Sequence, residues 1–274
     1  MLLESGADIN AQGGQFGNAL QAAADDGNEA VARLLLENGA DINYGNALQA
    51  AAAAYDESEA VVRLLLENGA DISAQGGQYG NALQAAAERG NEAVARLLLE
   101  KGADIHAQGG EYGNALQAAA HEGREAVARL LLEKGADIHA QGGQYGNALQ
   151  AAAAAYNENE AVVRLLLENG TDINAQGGQY GNALQAATKR GNEVVARLLL
   201  ENGADINAQG GQFGNALQAA VINGSEAVVQ LLLEKGADIV GLFALRCSFR
   251  SPFVDSTCSL YGRPVRAAIQ TTIS

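Results

Sequence analysis

Two histidines, His106 and His139, stand at equivalent positions in successive copies of a repeated motif and suggest a metal pair. Nitrogens that share one zinc ion each lie about 2.1 Å from it, whereas equivalent atoms of stacked repeats lie about 10 Å apart. No cysteine or acidic third ligand is evident beside them. We therefore expect polar loop residues here and no metal site.

Glycine-rich segments of the form QGGQYGN invite comparison with phosphate-binding loops. A P-loop requires a lysine followed by serine or threonine at the start of a helix, and a dinucleotide loop requires G-x-G-x-x-G after a strand. Neither pattern occurs in these segments. The glycines are therefore expected to form tight turns, and no nucleotide or other cofactor is expected.

The residues that could support catalysis are also not arranged for it. Glu92, Arg96 and Glu100 follow one another at four-residue steps, which is typical of a solvated helix face with ion pairs. Cys247 and Cys258 have no histidine near them in the sequence, so no nucleophile has a partnered base. The chain is predicted not to be an enzyme.

Charge and hydropathy restrict the partners further. The 274 residues carry a net charge of −15; the segment 241–274 holds four arginines against one aspartate, so it carries +3 and the rest −18. An acidic body argues against nucleic-acid binding. No stretch approaches the ~20 apolar residues of a membrane span, and both cysteines lie in the tail. We expect no membrane association and an intracellular, cytoplasmic location, with the nucleus also open.

A repeat of about 33 residues organises the sequence. The tripeptide GAD, or once GTD, recurs at steps of 33, 30, 33, 33, 35, 33 and 33 residues. In one copy, Asn81 is placed to cap a helix over 82–88 that Gly90 ends, and Asn91 is placed to cap a second helix. The loop between copies, GADIHAQGGEYG, is predicted to be β-hairpin-like. Each copy therefore reads as loop, helix, loop, helix.

Neither helix is long enough to be stable alone, so the copies must stack, and the alanine-rich first helix allows close approach. This predicts an all-α repeat solenoid. We assign a partial unit to 1–10, seven repeats to 11–240, an irregular insertion to 241–260, and a degenerate first helix of an eighth repeat to 261–274. An array that starts and stops within a unit is also expected of a fragment.

The period, the segment NEAVARLLLEKGADIN and the small-residue first helix resemble ankyrin repeats over residues 1–240. The usual TPLH start of the first helix is NALQ here, with Asn81 and Gln84 at the positions of threonine and histidine in the third repeat. Asparagine caps as well as threonine, and glutamine donates and accepts as histidine does. The YGNALQAA form resembles the ankyrin arrays of fungal signalling proteins that carry NACHT-type modules.

Positions that differ between near-identical copies are candidates for recognition. Most lie at the end of the first helix, which the resemblance places with the loop tips on the concave, partner-binding face of ankyrin arrays. Six residues are predicted to supply polar specificity: Glu88, Arg89, His121, Glu122, Lys189 and Arg190. The other predicted partner contacts of this kind are Asp25, Asp26, Ile222 and Asn223, with Glu111 at a loop tip.

Two copies are irregular. The segments AAAAAYDESEAV and AAAAAYNENEAV each gain two residues and lose a glycine, which predicts Tyr55 and Tyr156 as apolar contacts at a lengthened first-helix end. The second copy also lacks the AQGGQ segment, which predicts a notch in the row of loop tips. An aromatic residue recurs in every copy, and the sequence leaves open whether it packs loop on helix or contacts a partner.

The resulting hypothesis is a non-catalytic scaffold that binds a protein partner, of a kind the sequence does not identify, on its concave face. The alternative is a structural spacer, or an element that self-associates end to end through its open termini.

Overall fold

The structure, a computed structural model, describes residues 8–43, 46–54, 58–156 and 159–239. These residues contain fourteen helices that alternate between a first and a second helix of each repeat. The first helices are α1 (Ala19–Asp25), α3 (Ala47–Ala53), α5 (Ala82–Arg89), α7 (Ala115–His121), α9 (Ala148–Ala153), α11 (Ala183–Arg190) and α13 (Ala216–Asn223). The second helices are α2 (Glu29–Glu37), α4 (Ser58–Glu67), α6 (Glu92–Glu100), α8 (Glu125–Glu133), α10 (Glu160–Glu168), α12 (Glu193–Glu201) and α14 (Glu226–Glu234).

An asparagine cap starts most of the first helices, as predicted. In α5, Asn81 accepts from the backbone N–H of Gln84, and the Gln84 side chain accepts from the backbone N–H of Asn81. This reciprocal pair satisfies two N–H groups that have no partner within the helix. Six of the seven described first helices share it. Gly90 ends α5 in the left-handed conformation, at φ 80°.

The second helices are amphipathic. In α6, Asn91 caps the helix, and Val94, Leu97 and Leu98 are buried on one face. The opposite face carries an arginine that bonds the glutamate four residues before it, at 2.5 to 2.8 Å in six copies. Such exposed pairs stabilise a helix by only a few tenths of a kcal/mol each, so the buried leucines and valines determine the packing.

Met1–Gln144 and Tyr145–Ser274 form two compact units, named unit 1 and unit 2. Within each unit, every first helix packs on the first helix of the next repeat, and every second helix on the next second helix. Alanines such as Ala85 and Ala86 are fully buried between first helices. The predicted all-α repeat solenoid is confirmed.

In five of the seven described first helices, a glutamine bonds the loop of the following repeat. In unit 1, Nε2 of Gln84 donates to the carbonyls of Gly109 and Gly113, at 3.1 and 2.9 Å. These two glycines face each other across an isolated antiparallel β-bridge, which closes the predicted hairpin-like tip. Gly143 lies in the tip of the next repeat, the fifth. Its φ is +58°, and a Cβ atom there would overlap the carbonyl of Tyr112, so position 143 accepts only glycine without strain.

Two expectations about the irregular repeats were wrong. The NALQ start of the second repeat predicts that Asn46 caps α3 as Asn81 caps α5, but Asn46 makes no side-chain capping bond, and its φ and ψ are −118° and 49°. The lengthened first helix is also absent, since α9 ends at Ala153 and has six residues, against eight in α5. The extra residues extend the connection instead. The segments assigned at 241–260 and 261–274 lie outside the described residues.

Among the described residues, no helix combines the length and the apolar composition that a bilayer crossing requires.

Candidate partner-binding surface at the first-helix ends

The candidate surface is formed by the first-helix ends, meaning the last residues of each first helix and those before the next helix starts. Because first helices pack side by side, their ends adjoin within each unit. The predicted residues there range from half-buried to exposed. Half-buried are Glu88, Arg89, His121, Glu122, Lys189 and Arg190; exposed are Asp25, Asp26, Tyr156, Ile222 and Asn223. Tyr55 lies outside the described residues.

In the third repeat, the first-helix end is tied to the aromatic residue of its own loop. Arg89 Nη2 donates to the hydroxyl of Tyr79 at 2.9 Å, and the guanidinium carbon lies 5.9 Å from the ring centroid. Arg89 is thereby held against the body of the repeat. Burial raises the pKa of the neighbouring Glu88 carboxyl.

The fourth repeat uses an acid in the same place. The Tyr112 hydroxyl donates to Oε1 of Glu122 at 3.0 Å, and Nδ1 of His121 lies 2.8 Å from the same oxygen. The ring centroids of Tyr112 and His121 lie 5.0 Å apart. The hydrogen bond from His121 lowers the pKa of Glu122, whereas burial, together with the charges of Glu122 and Glu88, raises the pKa of Tyr112.

The sixth repeat shows a third form of this contact. The Arg190 guanidinium lies over the Tyr180 ring, 5.7 Å from its centroid. In all three repeats the partner stands ten residues after the tyrosine. Where the aromatic residue is phenylalanine and has no hydroxyl, the residue ten positions later is the exposed Asp26 or Asn223. This ten-residue spacing is present in the sequence, but it becomes visible only when the aromatic residue and the first-helix end are compared together.

Side chains from the next repeat bond the carbonyls at three first-helix ends. Nε of Arg124 donates to the carbonyl of Glu88 at 3.0 Å. Nε of Arg190 donates to that of Ala154 at 2.5 Å, and Nδ2 of Asn223 to that of Lys189 at 2.8 Å. These carbonyls have no partner within their own helix. Sequence analysis missed Arg124, although its replacement of the usual asparagine cap was visible.

Unit 2 adds exposed aromatic surface. The Arg190 guanidinium lies 4.0 Å from the centroid of Tyr156, which is 83% exposed. Tyr145, Tyr180 and Phe213 of successive repeats stack at 6.3 and 6.0 Å. Since Tyr145 and Tyr180 are buried, the recurrent aromatic residue packs the repeats together here. Tyr156 is not one of these stacked rings, and its exposed side chain is accessible to a partner.

The loop tips contribute one of the predicted residues. Glu111 is exposed, and Nε2 of Gln144 in the next tip donates to its Oε1 at 2.7 Å. Its backbone N–H donates to the carbonyl of Gln78 in the preceding tip at 3.2 Å. Glu111 thus lies in a row of bonded tips in unit 1.

The second repeat, which lacks the AQGGQ segment, borders a cavity of about 310 Å³. Its lining includes Asn46, Gln49 and Asp71. The equivalent space at the fourth repeat, beside His106, measures about 100 Å³. The larger cavity agrees with the predicted notch.

The described residues hold no group of three or more histidine, cysteine or acidic side chains placed to bind a metal ion. A cavity of about 420 Å³ lies between α4 and α6. Its carboxylates Glu59 and Glu92 pair with Arg63 and Arg96, so it presents ion pairs rather than an acid and a base.

Comparison with known proteins agrees with this architecture. The family model described as "Ankyrin repeats (3 copies)" matches residues 1–76, 52–142 and 147–241. The ankyrin repeat domain of human ASB11, known from a crystal structure, is similar with a TM-score of 0.66 and 26% identity, over 80% of this chain and 98% of that one. No curated protein sequence matches the chain. Ankyrin repeats in general mediate protein–protein interaction. The chain belongs to the ankyrin repeat family.

Proposed function

We propose that the chain recognises a protein partner through its first-helix ends and loop tips, on the concave side that ankyrin arrays use. One observation carries this proposal. The residues that differ between copies gather at the accessible first-helix ends, whereas the buried positions of the repeat recur.

The contrast is visible within a single first helix. In α5, the recurrent Leu83, Gln84 and Ala86 are buried, while Glu88 and Arg89 at its end are partly accessible. Changes at the buried positions would cost stability in every repeat, but changes at the end alter only the surface. Each repeat thus combines a constant buried core with variable side chains at its first-helix end, as a binding scaffold does.

The variable side chains are also held in place before any partner arrives. Arg89 and Glu122 bond the tyrosine hydroxyls of their own repeats, and Arg190 lies over the ring of Tyr180. Fixing long side chains in advance lowers the conformational entropy lost on binding. We assign polar specificity to Glu88, Arg89, His121, Glu122, Lys189 and Arg190, and the role of an apolar anchor to Tyr156 and, by sequence equivalence, to Tyr55.

The test is affinity capture from a lysate with the native chain and with a reset variant. The reset gives other repeats the Glu-Arg of the third repeat. Its substitutions are Asp25→Glu, Asp26→Arg, His121→Glu, Glu122→Arg, Lys189→Glu, Ile222→Glu and Asn223→Arg. An arginine then stands ten residues after Tyr112, as it does after Tyr79, so the framework keeps a partner for the hydroxyl.

A partner retained by the native chain and lost by the folded reset variant is the expected result. Capture of the same proteins by both would contradict recognition at the first-helix ends. Capture of nothing but further copies of the chain would favour the spacer or self-associating element instead.

A further inference from the structure

Unit 2 carries two adjacent cations, Lys189 and Arg190, in a protein with a net charge of −15. The arginines of its second helices, Arg164 and Arg197, pair with glutamates one turn away. Within the described part of the chain, neither Lys189 nor Arg190 forms an ion pair with a carboxylate. Among the described residues, therefore, no carboxylate neutralises the positive charge at the end of α11.

Aromatic rings hold both cations in position. Nζ of Lys189 lies 5.2 Å from the ring centroid of Phe213. The Arg190 guanidinium lies between the rings of Tyr156 and Tyr180, at 4.0 and 5.7 Å, while its Nε bonds the carbonyl of Ala154. Cation–π contact restricts the side chains and leaves N–H groups of both cations for further bonds.

Exposed apolar side chains stand on either side of this charge. Tyr156 follows α9 and is 83% exposed, and Ile222 near the end of α13 is 46% exposed. Since α9, α11 and α13 pack in succession, with about 10 Å between neighbouring axes, the two side chains lie about 20 Å apart. An extended peptide covers that distance with about six residues.

The geometry points to an acidic peptide segment as the occupant of this basic-aromatic surface, formed by Tyr156, Lys189, Arg190 and Ile222. The segment places carboxylates on the two cations and an apolar side chain at each end. Charge complementarity selects it, and the acidic body of the protein disfavours polyanions such as RNA, which extend beyond the surface. This inference rests on the proposed function and names the chemistry of its partner.

The experiment measures fluorescence anisotropy of a labelled peptide of about twelve residues with the intact chain. The probe has a run of Glu and Asp flanked by Leu and Phe, and a second peptide has serine in place of Leu and Phe. We expect Lys189→Gln with Arg190→Gln to raise the Kd of the first peptide at least about tenfold. Arg164→Gln with Arg197→Gln removes equal charge from unit 2 and should change it less than about twofold.

Two further variants keep the result interpretable if loss of Arg190 disturbs folding. Lys189→Gln alone removes only the ammonium over Phe213 and should raise Kd about threefold or more. Tyr156→Ala should weaken the first peptide by a similar factor and leave the weaker serine peptide unchanged.

The inference is overturned if the acidic peptide does not bind, if both double variants weaken it equally, or if an RNA oligonucleotide of equal charge binds more tightly. It is also overturned if the chain forms dimers that Lys189→Gln dissociates, because the occupant would then be a second copy. If the acidic peptide does not bind but a protein partner is still captured through the first-helix ends of unit 1, the proposed function stands and only this inference fails. Capture that is insensitive to every first-helix end removes the proposed function itself.

Discussion

Replacing Gln185 by leucine should remove the side chain that joins the sixth repeat to the loop of the seventh. Gln185 is fully buried; its Oε1 accepts from the backbone N–H of Asn182 at 3.0 Å. Its Nε2 donates to the carbonyls of Gly210 and Gly214 at 3.1 and 2.8 Å, with Ala208 at 3.4 Å sharing the same two protons. One side chain therefore satisfies three or more backbone groups, of which the Asn182 N–H is buried and the loop carbonyls are partly buried.

The expected loss follows from these bonds. Each contributes about 1 kcal/mol net, and a buried group left without a partner costs about 1–3 kcal/mol. Burial of the more apolar leucine offsets roughly 1–2 kcal/mol. We expect Gln185→Leu to lower the free energy of unfolding by about 2–3 kcal/mol, measured by urea denaturation.

Hydrogen exchange locates the effect. The Gly210 amide donates to the carbonyl of Gly214 across the loop tip, and Gly109 makes the equivalent bond in unit 1. A loss of 2–3 kcal/mol corresponds to exchange about 30- to 140-fold faster at Gly210. The Gly109 amide should keep its rate.

Gln49→Leu is a matched control, because Gln49 donates to two carbonyls but has no reciprocal cap with Asn46. Gln49→Leu should lower the free energy of unfolding by about 1 kcal/mol less than Gln185→Leu does, because it removes one hydrogen bond fewer. Gln185→His should restore part of the loss, since histidine also donates and accepts. A loss below about 0.5 kcal/mol, with Gly210 exchange unchanged, would refute a bridging role for this glutamine.

Three further predictions concern single positions. Thr171→Ala should raise the free energy of unfolding by about 1 kcal/mol, because Oγ1 of Thr171 is buried without a hydrogen-bond partner; a decrease on urea unfolding would contradict this. Gly178→Ala should cost at least about 2 kcal/mol more than Gly203→Ala in thermal unfolding, since both have positive φ but only at Gly178 would Cβ overlap a neighbouring carbonyl; equal losses would contradict the overlap. The lowered pKa of Glu122 stabilises the fold above the unfolded value of about 4.3, and this contribution is lost as pH falls through the folded pKa. Glu122→Gln should thus destabilise the fold at pH 7 and have no effect once the pH lies below the folded pKa of Glu122. The raised pKa of Glu88 means that Glu88→Gln should stabilise the fold at pH 7; the reverse order in urea titrations would contradict both assignments.

The helix boundaries were predictable because their causes are local. Asn81, Gly90 and Asn91 act within one turn of chain through capping bonds and a left-handed residue. The spacing of Val94, Leu97 and Leu98 identified the buried face for the same reason.

Features that join one repeat to the next were predictable only in part. That glutamine could replace histidine followed from its donor and acceptor groups, but its target carbonyls, such as that of Gly113, lie in another repeat. Arg124 illustrates the same limit: it gives up a local cap and bonds the carbonyl of Glu88, 36 residues earlier. Helical propensity also failed at α9, because the alanine run extends beyond Ala153 while the helix does not.

Site-specific photo-crosslinking tests the central claim most directly. A photoreactive residue replaces Ile222 at a first-helix end or, as a control, Val194 on the second helix α12; the two side chains are 46% and 38% exposed. Recognition through the first-helix ends predicts that a captured partner is crosslinked from position 222 and not from position 194. Crosslinking from position 194 alone would contradict it.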